Sequence, residues 1–173
     1  MTHECFFLYR RALSPVKIRF RAMIPLLDVH GFLPQGVHEC TLEELTARFG
    51  NGNPSHRRSI LCVKFADFLT WVRSLNCFRS VYPDGSFVSD KEEPSDIDVL
   101  LELPQGTPEV TAHLKQHGVF DRAQMKSKFE IHIFPMPPGE PNLLTWFQGV
   151  RPEVARARGL RPNYRKGILR ITI

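Results

Sequence analysis

The segment Asp96-Ile97-Asp98-Val99-Leu100-Leu101-Glu102-Leu103 constrains this chain more than any other. Ile97, Val99, Leu101 and Leu103 alternate with Asp96, Asp98 and Glu102, the period of a strand with one face in a core and carboxylates on the other. Two aspartates at i and i+2 then point the same way. Upstream stands Tyr82-Pro83-Asp84-Gly85-Ser86, separated from Asp96 by residues 87–95. A Gly-Ser turn lets backbone N–H groups approach phosphate oxygens, and paired carboxylates on a rigid strand can share a hard cation. The pattern predicts a phosphate turn beside a metal site, as phosphoryl or nucleotidyl transfer requires.

The rest of the chain supplies elements to hold that strand. Thr41 followed by Glu44 is a reciprocal capping pair, and with Gly50 as a stop it predicts a helix over about 42–48. Asn53-Pro54-Ser55 reads as the start of a second helix, in which Leu61, Phe65, Phe68, Val72 and Leu75 recur at helical spacing. Phe78 to Tyr82 has strand character, Thr107-Pro108 opens a helix that Gly118 stops, and a helical stretch near 121–126 precedes a strand over 129–134. Pro135, Pro137, Pro138 and Pro141 break the chain into a loop, and the alternating 168–173 reads as a terminal strand. These elements predict an α/β (α+β) fold: a small mixed sheet with flanking helices. The expected division is an extension over 1–22, a core over 23–150, and a basic segment with a terminal strand over 151–173.

At 173 residues the chain suffices for one domain with a real core. No apolar run approaches the roughly 20 residues of a membrane helix, and Arg10 and Arg11 follow Cys5 to Tyr9 where a signal peptide would be cleaved. A cytoplasmic protein is expected, with Cys5, Cys40, Cys62 and Cys77 as reduced thiols serving mainly in packing. The net charge of +5 is uneven, with acids gathered around 84–102 and bases at both ends. The basic ends read either as arms for a nucleotide or nucleic acid, or as solvated surface charge.

Asp96 and Asp98 meet the demand of Mg2+, or Mn2+ in its place, for oxygen ligands. A third carboxylate on a neighbouring strand would complete a two-metal clamp, and Glu130 is the candidate. His132, two residues on, reads chiefly as a strand residue near the pocket and secondarily as a base. His113 and His117 lie at helical i, i+4 spacing and could pair on a metal, but read better as surface groups. Tyr82 is a candidate to stack on a base.

Gly85, Ser86, Asp96 and Asp98 together resemble the signature of the polymerase β-like nucleotidyltransferase superfamily. The spacing from Ser86 to Asp96 is similar to that of minimal nucleotidyltransferases from toxin-antitoxin pairs. Leu33-Pro34-Gln35-Gly36-Val37-His38, Trp146-Phe147-Gln148 and Lys166-Gly167-Ile168 extend the likeness to an uncharacterised bacterial nucleotidyltransferase-like family. The resemblance implies a nucleoside triphosphate held by Gly85 and Ser86, metals on Asp96 and Asp98, and a third ligand or base at Glu130, where the superfamily more usually has Asp. It further implies transfer of a nucleoside monophosphate to a hydroxyl of a protein, an RNA or a small molecule, with a toxin as a partner. A second reading keeps the fold without turnover, as an antitoxin-like or RNA-binding module.

Overall fold

The computed structural model of the chain describes residues 24–51 and 56–173. The N-terminal extension and the Asn53-Pro54-Ser55 helix start lie outside the described residues.

Among the described residues, five strands form one mixed sheet: β1 (Val37–Glu39), β2 (Ser80–Asp84), β3 (Ile97–Glu102), β4 (Ile131–Met136) and β5 (Ile168–Thr172), in the order β1-β5-β2-β3-β4. β5 runs parallel to β1, β2 is antiparallel to β5 and β3, and β4 is parallel to β3. Six α-helices accompany them: α1 (Leu42–Phe49), α2 (Arg57–Ser74), α3 (Pro108–Gln116), α4 (Arg122–Phe129), α5 (Pro141–Phe147) and α6 (Pro152–Ala157). The protein is thus of mixed α+β class. No helix among the described residues is long and apolar enough to cross a membrane.

Local chemistry explains most of the boundaries. The Glu44 N–H donates to Thr41 Oγ1 (3.2 Å) and the Thr41 N–H donates to Glu44 Oε2 (2.8 Å), which closes the capping box of α1. Thr107 caps α3 and Asp121 caps α4 in the same way, by accepting from backbone N–H groups three residues on. α2 buries Leu61, Cys62, Phe65, Phe68, Leu69 and Val72, its whole inner stripe.

Strand parity divides the sheet into unequal faces. Val81, Ile97, Val99, Leu101, Ile131, Ile133, Leu169 and Ile171 point into the main core, against Leu45, Phe65, Phe68, Met125 and Phe129 of α1, α2 and α4. Tyr82, Leu100, Met136 and Ile168 point the other way, where Phe147 of α5 covers them in a smaller cluster. Asp84, Asp98 and His132 share this second face, which α5 covers only in part. The uncovered remainder is a cleft of about 940 Å³.

β5 lies inside the sheet, between β1 and β2. The segment 151–173 therefore contributes Leu169 and Ile171 to the same core as the strands before it. Cys40 and Cys62 are buried free thiols and Cys77 is half-buried, in keeping with packing roles. Burial pushes the Cys40 thiol up to about 12, so it is inert as a nucleophile.

Candidate metal and phosphate centre

β2 ends at Asp84 and turns at once into a 3-10 helix over Gly85–Val88. Gly85 has φ +80°, a left-handed conformation that glycine adopts at no steric cost. It is also the point of closest approach to β3, since a Cβ there would collide with the Asp98 carboxylate. Gly85→Ala is therefore expected to displace Asp98 as well as strain the turn. Destabilisation of about 1–2 kcal/mol, from the left-handed backbone alone, should accompany a loss of Mn2+ affinity in calorimetry. Unchanged metal binding in the folded variant would show that this contact does not shape the site.

The register places Asp84 opposite Asp98 and Asp98 opposite His132, on one line across three strands. Asp96, just before β3, shares the face of Asp98. His132 Nδ1 lies 3.6 Å from Asp96 Oδ2 and 3.7 Å from Asp98 Oδ1. One ligand atom from each of Asp96, Asp98 and His132 falls within 4.8 Å of the others, the spacing a single cation needs.

Glu130 does not join them. It ends α4 in a left-handed conformation (φ 57°), its N–H donating to Lys126 O at 3.0 Å, and its carboxylate pairs with Arg57. With no loop between α4 and β4, one residue must reverse the chain before the strand begins, and that residue is Glu130. The structure does not bring the expected third carboxylate, Glu130, to the aspartates: the side chain that β4 aims at them is His132. Tyr82 is not brought to the site either, since it is buried in the smaller cluster with its hydroxyl 3.3 Å from Glu102 Oε2, out of reach of a ligand. His113 and His117 stand ring to ring at 4.5 Å on the surface, with no third ligand among the described residues.

Electrostatics set the two aspartates apart. For Asp96, burial alone would raise the carboxyl, but the Lys126 hydrogen bond and charge, with His132 beside it, hold it below the usual range. Asp98 is raised, by burial first and then by the neighbouring Asp96 charge, against opposing pulls from His132, Lys166 and Arg151. Behind it lies a further acid: Asp84 is 2% exposed and ion-paired with buried Lys166. Burial pushes Asp84 up to about 6 despite that partner, and its Oδ1 has no hydrogen-bond partner among the described residues.

Two adjacent arginines brace the loop between the turn and Asp96. The Arg58 guanidinium donates to the carbonyls of Phe87 (2.8 Å), Ser89 (2.8 Å), Phe49 (3.2 Å) and Lys91 (3.1 Å). Arg57 donates to Pro94 O at 3.2 Å and to Ser95 O, while holding Glu130. Sequence reading passed over both, although a signal was present: basic residues in the first turn of a helix oppose its dipole and need a tertiary reason to be there.

The three stretches Leu33 to His38, Trp146 to Gln148 and Lys166 to Ile168 meet beside the cleft. Gln148 Nε2 donates to Gly36 O (2.9 Å), Lys166 N to Gln148 O (3.0 Å), Gly167 N to Leu33 O (2.7 Å) and Ile168 N to Gly36 O (3.0 Å). Nearby, the Tyr164 hydroxyl donates to Asp28, whose Oδ1 accepts from the N–H groups of His30 (2.9 Å) and Phe32 (3.1 Å). Burial would raise the Asp28 carboxyl, but these donors outweigh it and leave it lowered. Such a group stabilises the fold above its ordinary value of 3.8, and that contribution is lost as pH falls through the lower folded value. Asp28→Asn is accordingly expected to narrow the stability gap between pH 7 and pH 3 in urea titrations. An unchanged gap would show that Asp28 has no part in acid sensitivity.

These features define an α+β protein whose mixed sheet gathers two carboxylates and an imidazole beside a Gly-Ser turn in an open cleft. The chain belongs to a family of unknown function (DUF6932), whose model matches residues 25–172. No curated protein and no solved structure matches it.

Proposed function

We propose that the protein is a metal-dependent nucleotidyltransferase of the polymerase β-like type, acting on a nucleoside triphosphate and a hydroxyl acceptor. The observation that carries this reading is the convergence of Asp96, Asp98 and His132 within 4.8 Å, next to the Gly85–Ser86 turn and in one cleft. The donor set of two carboxylates and one imidazole fits a divalent cation, and the imidazole favours Mn2+ over the all-oxygen preference of Mg2+. Such a cation would neutralise charge on the transferred phosphoryl group and lower the pKa of an acceptor hydroxyl.

The remaining work falls to the chain itself. Asp96 and Asp98 would hold the cation, and the turn would orient the phosphate tail through backbone N–H groups. Lys166 and Arg151, at the cleft wall, would offset negative charge near Asp98. Positioning and charge compensation supply most of the catalysis in such transfers, so little covalent chemistry is asked of the protein.

The noncatalytic reading rests on a specific observation too: Glu130 is turned away and Lys126 already neutralises Asp96. Labelling of a cell lysate with each of the four α-radiolabelled nucleoside triphosphates, with Mg2+ or Mn2+, separates the two. Metal-dependent label transferred to protein or RNA is expected. Metal-dependent triphosphate binding without transfer to any acceptor would favour the module without turnover.

A further inference from the structure

Trp146 is 60% exposed, although a tryptophan ring has more to gain from burial than any other side chain. It lines the same cleft as Asp96 and Asp98, where Phe134, Phe147 and Val150 make part of the wall apolar. Phe134 lies behind it with ring centroids 5.9 Å apart, and Phe147 lies 5.3 Å from Phe134. The platform is held in place: Phe147 is buried, and Gln148 next to it is tied to Gly36 O at 2.9 Å. Nothing in the metal centre accounts for an aromatic wall of this size.

Its place relative to that centre is set by strand geometry. His132 and Phe134 are alternate residues of β4 and face the same side, so they stand about 7 Å apart at the strand rise. β2 runs out into the Gly-Ser turn at the end of the sheet where β3 and β4 begin. Travel along β4 from His132 to Phe134 therefore leads away from the turn. Turn, metal ligands and Phe134, on which Trp146 packs, follow one another along the sheet in the order of phosphate tail, reacting phosphate and base in a nucleoside triphosphate.

We infer that Trp146, backed by Phe134 and Phe147, is the stacking platform for the base of a nucleoside triphosphate, and favours purines through stacking strength. This rests on the nucleotidyltransferase reading. A purine presents the larger ring face to the exposed Trp146 indole, and stacking needs no hydrogen-bond code.

The test is calorimetric titration of the full chain with Mn2+ and either adenosine 5′-(α,β-methylene)triphosphate, its cytidine counterpart or inorganic tripolyphosphate. Trp146→Ala should weaken the adenosine analogue by roughly tenfold, the usual scale for loss of one stacked base. Tripolyphosphate should bind the variant as it binds the wild type, Trp146→Phe should restore most of the affinity, and the cytidine analogue should bind the wild type several-fold more weakly. Because Trp146 is largely exposed, the variant should melt with the wild type. Equal weakening of the adenosine analogue and tripolyphosphate, or of neither, would overturn the platform while leaving the phosphate and metal site standing. Equal binding of the adenosine and cytidine analogues would overturn the purine preference. A wild-type chain that binds none of the three would overturn the underlying reading along with the platform.

Discussion

Asp98→Asn is expected to reduce the proposed metal-dependent nucleotidyl transfer by about a thousandfold or more, the loss of several kcal/mol of charge stabilisation at the reacting phosphate. Asp98 sits at the middle of the line Asp84, Asp98, His132 and shares its face with Asp96, just before β3. An amide there keeps the shape of the side chain but removes the charge that would hold the proposed cation. Folding should survive, because Asp98 is raised by burial and by Asp96, so its ionised form is not what holds the sheet. The measurement is transfer of radiolabel with Mg2+ or Mn2+, beside a melting curve of each protein. Full metal-dependent turnover in the variant would remove Asp98 from the reaction and with it the present assignment.

The second large effect concerns stability. Lys166→Met should destabilise the fold by about 3–5 kcal/mol, the usual consequence of leaving one member of a buried ion pair without its partner. The remaining member is Asp84, buried below the turn with Oδ1 already unpartnered. Without Lys166 its folded pKa would rise further above the unfolded value. A raised carboxyl binds a proton in the folded state that the unfolded chain releases, so stability falls as pH rises between the two values. The variant's deficit should therefore be larger at pH 8 than at pH 5, in chemical denaturation at both. A deficit independent of pH would mean that lost packing of the lysine stem, rather than the stranded Asp84 charge, is responsible. The double change Asp84→Asn with Lys166→Met should recover part of the loss, since it removes the stranded charge.

Much of the architecture was legible because it is written in short-range chemistry. The capping pair Thr41 and Glu44 lies within one helical turn, and the alternation over 96–103 is a property of one strand. The carboxylate face, the Gly-Ser turn and the main helical stripe of α2 followed from such patterns. The start of α2 is set by His56, whose ring accepts from the Arg58 N–H at 3.3 Å.

What failed to appear in the sequence shares one cause. Glu130 and His132 have the same parity, so periodicity could not choose between them. The choice was made by the left-handed reversal at Glu130 and by Arg57, which is distant in sequence. Lys166 read as one more charge in a basic tail, yet it reaches Asp84 across 82 positions to become a buried partner of the site. β5 read as a terminal strand and proved to be an inner one, since only pairing with β1 and β2 defines its place.

The sequence by itself determined that this chain forms strands and capped helices, and that two aspartates face one way beside a glycine turn, because those outcomes depend on neighbours a few residues apart. The tertiary structure alone decided that an imidazole completes the cluster, that a lysine is buried beneath it, and that an exposed tryptophan lines the same cleft. Each of these depends on register and charge pairing between distant segments, which no local period encodes.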